Sequence, residues 1–342
     1  VTNQLNITVI GSGSWGTAFA RLLSRKGHRV TVLTLTAEEA LELTTRRVNE
    51  HFLPGVTIPA DITFRAIGEA DLEGTELVVY AVPTQATRQV AAWAAPRRPA
   101  GSMQLSLAKG LELTTLERPT QIIAEETGAP VAALSGPNHA EEVSRDMPSA
   151  TVIAAEDQDL ARRLQAAITS ETFRVYRNDD VVGVEFCGAA KNPIAIAVGM
   201  SDGLGFGDNS RASLITRSLA EVTRLGSSLG ARFETFAGLA GIGDMIATCT
   251  SRHSRNRKAG ELLAQGTPPS ELERLVGQVV EGIPTTYALH DLSARLGLEM
   301  PVTSNVYEAL QNGRSALECV RALMGREPTA EDPALEAPRR VW

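Results

Sequence analysis

Apolar residues in the first half of the chain follow two alternating patterns. Short runs rich in β-branched residues have strand character: "NITVIG" (6–11), "HRVTVLTL" (28–35), "DITFR" (61–65), "ELVVYAV" (76–82), "SMQLSLA" (102–108) and "PVAALSG" (130–136). Between them, Trp15 to Lys26 and Gln85 to Ala95 place apolar residues at helical spacing. Two further runs, "SATVIAA" (149–155) and "TFRVYRN" (172–178), flank a helical stretch at Asp157 to Ile168. Strands that alternate with helices in this way predict βαβ units and a parallel sheet.

Beyond Asp179 the strand pattern stops. Leu214, Ile215, Leu219, Val222, Leu225 and Leu229 recur at helical spacing, and further helices are predicted at Arg255 to Ala264, Thr285 to Leu296, Val302 to Gln311 and Ala316 to Met324. The expected organisation is a sheet domain over 1–178, a helical domain over 179–326 and a flexible tail over 327–342, where Pro and acidic residues replace apolar periodicity.

A length of 342 residues supports this division, since it exceeds what one hydrophobic core usually serves. No stretch is expected to approach the roughly 18 to 20 apolar residues of a membrane helix, and the first strand begins with no signal peptide before it, so a cytoplasmic location is expected. Forty acidic against 33 basic residues, a net charge of −7, argue against a nucleic-acid partner. Any anionic ligand must be met by a local cluster of positive charge. Cys187, Cys249 and Cys319 have neither disulfide nor metal-ligand spacing and read as small buried residues, so no metal site is expected.

Candidate chemistry begins with "VIGSGSWGTAFA", where Gly11, Gly13 and Gly16 follow the first strand and open a helix. Glycines at this spacing let the backbone approach a pyrophosphate at the helix N-terminus, the mark of a Rossmann-like doubly wound sheet. At the end of the second strand stand Thr34 and Thr36, with Glu38 and Glu39 slightly late and no arginine before Arg46, so the motif does not separate NAD from NADP. Lys109 lies at the C-terminal end of a strand, the edge where open α/β sheets bind ligands. "LSGPNHAEEV" then sets Gly136 and Pro137 before a helix N-terminus. Arg252, Arg255, Arg257 and Lys258 crowd together in an acidic protein, behind Ser254 as a helix cap and Asp244 after a glycine-rich turn; they are a candidate phosphate site. Lys191 is the single charge between Glu185 and Asp202 in "GVEFCGAAKNPIAIAVGMSDG". An ammonium in such surroundings either keeps its head in water or serves as an acid, base or anion clamp.

Taken together, "GSGSWGTA", "RRVNEHFLPG", "SLAKGLE", "SGPNHAEEV", "EFCGAAKNPIAIAVGMSDG", "GLAGIGDMIATCTS", "SRNRKAG" and "VVEG" resemble the NAD(P)-dependent glycerol-3-phosphate dehydrogenases of the bacterial type, over about Ile7 to Ala322. The resemblance implies a Rossmann domain followed by a helical one, and reversible reduction of dihydroxyacetone phosphate to sn-glycerol 3-phosphate for glycerophospholipid synthesis. It implies no stable membrane insertion and leaves a homodimer open.

The same resemblance implies that Gly11, Gly13, Ser14, Trp15, Gly16, Lys109, Ala140, Arg255, Val279 and Glu281 contact the dinucleotide. Lys109, Gly136, Asn138, Asp244, Ser254, Arg255 and Asn256 would hold the substrate, and Lys191 would give or take the proton. Asn138 stands where many members carry a small hydroxyl residue. Thr34 and Leu35 stand where many carry an aromatic residue or arginine. Two other readings fit the residues alone: a dehydrogenase of an unphosphorylated hydroxy acid, and a non-catalytic NAD(P)-binding sensor.

Overall fold

The computed structural model describes residues 4–327. From residue 328 on, the expected flexible tail lies outside the described residues. The first half builds β1 (Asn6–Ile10), α1 (Ser14–Arg25), β2 (Arg29–Thr34), α2 (Ala37–Arg46), the short β3 (Val48–Asn49) and β4 (Leu53–Thr57), β5 (Thr63–Ala66), β6 (Leu77–Tyr80), α3 (Thr87–Ala94), β7 (Met103–Ser106) and α4 (Pro119–Thr127). It continues through β8 (Ala132–Ser135), the single-turn α5 (Ala140–Val143), β9 (Ser149–Ala154), α6 (Gln158–Ile168) and β10 (Phe173–Asn178).

Eight of these strands form one sheet in the order β10-β9-β8-β7-β6-β1-β2-β5. The chain crosses back over β1 between β5 and β6, so the C-terminal ends of β1 and β6 bound the crevice where such sheets bind ligands. Alternate residues bury on opposite faces. Val9, Val32 and Val79 join Phe19 and Leu164 in one core, whereas Ile10, Leu33, Val78 and Tyr80 join Ala91 and Ile123 in the other. Burial on both faces explains why the strands read as continuous apolar runs.

The expectation of a parallel sheet needs one correction: β9 pairs antiparallel with β8. The connection between the two strands, residues 136–148, carries only the single turn of α5, too short a helix to run back along the sheet as a parallel crossover. β10 returns to parallel pairing with β9 because α6 supplies a full crossover. The antiparallel pair β3 and β4, packed beside α1 and α2, was not foreseen from the sequence.

The second half contains α7 (Val181–Gly203), α8 (Asp208–Ser228), α9 (Phe233–Phe236), α10 (Asp244–Thr250), α11 (Arg255–Ala264), α12 (Leu272–Val276), α13 (Gly282–Leu296), α14 (Pro301–Asn312) and α15 (Ala316–Met324). Asp180 starts it: its carboxylate caps α7 through the Gly183 N–H at 2.8 Å and accepts from Arg232 N and Thr235 Oγ1, tying the sheet's exit to α9. Twenty of the 23 residues of α7 are buried, and α8, α10, α11, α13 and α14 pack around it. This helix departs from the membrane expectation, being long and apolar enough to span a bilayer with a mean hydropathy of 1.4 in its most apolar window. Of that window 89% is buried within the protein, so its apolar sides are covered by neighbouring helices.

α7 and α11 approach closely because glycines face each other. A Cβ on Gly260 would lie 2.0 Å from the Ile196 carbonyl oxygen and 2.7 Å from Met200 N, so the two backbones would have to part. Gly260→Ala is therefore expected to destabilise the protein by roughly 1–3 kcal/mol or more. Gly68→Ala, where a Cβ meets nothing within 4 Å, is expected to change stability little. Denaturant unfolding of both variants beside the parent checks this; equal midpoints would show that the contact yields.

Candidate active site

A cleft of about 750 Å³ lies between the sheet and the helical half. Its wall on the sheet side is the glycine loop. Gly11 has φ +112°, and a Cβ there would lie 2.4 Å from the Ala81 carbonyl oxygen; a Cβ on Gly16 would lie 2.1 Å from the Gly11 carbonyl oxygen. These two glycines serve close packing of β1, β6 and α1. Gly13, by contrast, faces open space with nothing within 4 Å. It immediately precedes α1, whose N-terminus has no side-chain cap. Free N–H groups beside an open glycine suit the pyrophosphate of a dinucleotide, so the residues present fit such a cofactor.

Opposite this wall runs the strand of chain from Gln278 to Glu281. Gln278 Oε1 accepts from Ser14 Oγ at 3.3 Å and from Arg255 Nη1 at 3.2 Å, and Arg255 also reaches the Val279 carbonyl at 3.3 Å. Glu281 Oε1 accepts from Thr84 N at 3.1 Å, while its Oε2 is buried without a partner among the described residues. Burial raises the Glu281 pKa against the opposing Thr84 hydrogen bonds. Trp15 and Ala140 also line the cleft, with the Trp15 indole N–H buried and unpartnered.

At the cleft's centre two ammonium groups share one carboxylate. Lys109 Nζ lies 2.8 Å from Asp244 Oδ2, and Lys191 Nζ lies 3.1 Å from Asp244 Oδ1. Lys109 follows β7, Lys191 is midway along α7, and Asp244 begins α10 after the tight turn Leu239–Gly243. That turn needs glycine at Gly241, where a Cβ would lie 2.1 Å from the Phe236 carbonyl oxygen. Burial disfavours the Asp244 carboxylate, but the two ammonium groups outweigh it and hold its pKa below the usual value. Burial, helped by the like charge of Lys191 and opposed by Asp244, lowers the Lys109 pKa to about 8.

The two lysines differ in how their protons are engaged. Lys109 also donates to Asn138 Oδ1 at 2.9 Å and to the Gly136 carbonyl at 3.0 Å, so its three N–H groups all have acceptors. Lys191 donates to Thr248 Oγ1 at 2.6 Å and meets Asp244. Its third proton has no acceptor among the described residues, and the side chain lines the cleft. Pro193, within the same helix, has no N–H and leaves the Ala189 carbonyl without its helical donor.

The arginine cluster does not act as one. Arg257 pairs with Asp202 at 2.7 Å and with Glu261 at 3.0 Å, Lys258 is half-exposed beside Glu261, and Arg252 is exposed. The sequence expectation counted Asp244 as the nearby acid; folding brings Asp202 from the end of α7 instead. Only Arg255 of the four lines the cleft. Ser254 caps α11 through the Arg257 N–H at 3.2 Å. Asn256 lines the cleft with its amide engaged: it donates to Asn192 Oδ1 at 2.9 Å and accepts from Gly282 N at 2.9 Å, while Asn192 donates to the Lys109 carbonyl at 2.9 Å. Gly136 likewise meets the site through its carbonyl alone, as an acceptor for Lys109.

Several residues of the cleft went unread in the sequence. Thr248 stands one helical turn after Asp244, a spacing that would have placed both on one face of α10. Asn192, Gln278 and Thr84 carry no local signal, because their partners come from distant elements. His139 and His253 face one another across the cleft with ring centroids 6.4 Å apart. Burial first, and Lys191 second, lower the His139 pKa and keep it neutral at neutral pH.

Two family models cover most of the chain: the N-terminal part of NAD-dependent glycerol-3-phosphate dehydrogenase matches residues 6–161 and its C-terminal part residues 180–321. A glycerol-3-phosphate dehydrogenase [NAD(P)+] of Moorella thermoacetica is 48% identical over 326 residues, 95% of this chain and 97% of that protein. One from Pelotomaculum thermopropionicum is 46% identical over 95% of this chain and 94% of that protein. The crystal structure of glycerol-3-phosphate dehydrogenase from Coxiella burnetii superposes with a TM-score of 0.91 at 37% identity, covering 94% of this chain and 99% of that one.

Asp244→Asn leaves two buried ammonium groups without a counter-charge, and breaking such an arrangement typically costs about 3–5 kcal/mol. Without the carboxylate the folded-state Lys109 pKa falls below about 8, further from its unfolded value of 10.5. The variant then sheds the Lys109 proton on folding at lower pH than the parent does. Its stability deficit should therefore narrow as pH rises toward 8. Urea unfolding of parent and variant at pH 6 and pH 8 checks this; a deficit independent of pH would show that Asp244 does not govern Lys109.

Proposed function

This chain belongs to the NAD-dependent glycerol-3-phosphate dehydrogenase family, and from that membership we propose that it interconverts dihydroxyacetone phosphate and sn-glycerol 3-phosphate with a nicotinamide dinucleotide. The observation that carries the reading is the pair of lysines on one carboxylate, with a proton of Lys191 left over in the cleft. The division at Asp179 into a dinucleotide-binding domain and a catalytic domain is part of the proposal, and the cleft between the two halves supports it.

The reduced nicotinamide, when bound, supplies the hydride. Lys191 Nζ, on a buried side chain, donates its third proton to the substrate carbonyl oxygen and stabilises the negative charge growing there. In the reverse direction the same nitrogen accepts the proton of the hydroxyl. Asp244 and Thr248 hold the ammonium in place. Lys109, with all three protons engaged, positions Asp244 and the loop carrying Asn138. Ser14, Trp15, Ala140, Val279 and Glu281 border the dinucleotide, and Glu281 joins the two halves through Thr84. Arg255 and the N-terminus of α11, capped by Ser254, face the phosphate, and Asn256, held by Asn192, stands beside them in the cleft wall. In the cytoplasm the product would supply the backbone of glycerophospholipids.

Lys191→Met keeps much of the apolar stem and removes both proton and charge. Turnover of dihydroxyacetone phosphate should fall by about 10² to 10⁴-fold while dinucleotide binding, followed by fluorescence on the same sample, persists. Near-normal turnover in a folded, dinucleotide-binding variant would sink the role given to Lys191. Activity on dihydroxyacetone equal to that on its phosphate would favour the hydroxy-acid type of dehydrogenase.

The two basic residues of α11 separate on the same assay. Arg255→Ala should weaken substrate and dinucleotide by roughly ten- to a hundred-fold, the scale of a lost charge-assisted hydrogen bond. Lys258→Ala should leave both unchanged within about two-fold, since its partner Glu261 lies outside the cleft. Equal effects would return the cluster to a solvated helix face.

A further inference from the structure

Glu39 lies in the first turn of α2, where its backbone N–H donates to the Thr36 hydroxyl at 3.2 Å. The turn carries its carboxylate back over the end of β2. Oε2 accepts from Leu35 N at 3.3 Å, and Oε1 accepts from the Ser12 hydroxyl of the glycine loop. The carboxylate thus bridges the end of β2 and the loop after β1, and it lines the cleft beside Thr34 and Leu35. In a doubly wound sheet that gap receives the adenosine ribose of a dinucleotide. An acid there accepts from the ribose hydroxyls, whereas a 2′-phosphate requires an arginine.

No cation stands beside Glu39 among the described residues that line the cleft. Lys109 follows β7, and Lys191 and Arg255 belong to the helical half. Arg46 pairs with Glu42 at 3.1 Å on the exposed face of α2, Arg47 donates to the Pro59 and Ile62 carbonyls, and Arg65 is not part of the cleft wall. Leu35, where a basic side chain would have to stand, is an exposed apolar residue. A carboxylate has about four acceptor sites, so the two contacts already made leave room for ribose hydroxyls.

We propose that Glu39 makes this chain select NAD(H) over NADP(H): its carboxylate accepts from the adenosine ribose hydroxyls and repels a 2′-phosphate. The proposal rests on the dinucleotide site of the preceding reading. A plain brace between Ser12 and Leu35 would act on both dinucleotides alike, so the discriminating quantity is the ratio of their affinities.

Fluorescence titration of the full chain with NADH and with NADPH measures it. The parent should bind NADH at least about ten-fold more tightly, since like charges set together oppose binding strongly. Glu39→Gln keeps the shape and an acceptor but loses the charge. NADPH binding should tighten by roughly ten-fold or more, while NADH stays within about three-fold. Equal affinities in the parent, or a proportional change of both in Glu39→Gln, would overturn the proposal and leave the dehydrogenase reading intact. Binding of neither dinucleotide would overturn both. Should the variant fail a thermal-unfolding check, the parent's affinity ratio decides by itself.

Discussion

A single carboxylate holds the working parts of this protein together. Asp244 lies between Lys109, from the sheet half, and Lys191, from the central helix of the other half, at 2.8 and 3.1 Å. Either lysine buried without it would lose hydration with little return. With it, two charges gather where the halves meet, and the trio keeps a net positive charge facing the cleft. The same contact orients the Lys191 nitrogen and closes the seam between the halves, so a change there should affect stability and the proposed chemistry together.

Packing makes that contact possible. α7 can run through the middle of the helical half because glycines let α11 lie almost against its backbone, and the glycine-rich turn before α10 delivers Asp244 to the seam. A second bridge acts nearby: Arg118, at the start of α4, meets buried Glu185 of α7 at 2.5 Å, and Thr120 N donates to the same carboxylate at 2.8 Å. Asn192 and Asn256 add a neutral relay from the Lys109 carbonyl to Gly282. The lysines therefore sit in a framework of hydrogen bonds that leaves the Lys191 ammonium little freedom. Preorganisation of this kind is what lets a charge stabilise a transition state without first rearranging.

The cleft has two electrostatic ends. Lys191, Lys109 and Arg255 gather positive charge where a phosphorylated ketone would bind, while Glu39 places negative charge at the end of β2. A chain of net charge −7 thereby presents a cationic end and an anionic end within one cavity. Total charge reports neither property, because screening makes local arrangement decisive.

Much of this was legible in the sequence. Short runs of β-branched residues marked the main-sheet strands, and helical spacing marked α8, α11, α13, α14 and α15, because burial on a sheet or helix face is a local demand. Gly11, Gly13 and Gly16 announced the tight turn through backbone geometry, and Lys191 stood out as one charge in an apolar window. Partnerships were not legible. Nothing local tells that Arg257 answers Asp202, that Lys109 has its three protons engaged, that Glu39 folds back onto Ser12, or that β9 turns antiparallel after a one-turn helix. Those outcomes depend on which distant elements pack side by side. Periodicity and backbone conformation are encoded residue by residue, whereas the partner of a charge or hydrogen-bonding group is chosen only when the tertiary fold brings separate segments within a few ångströms.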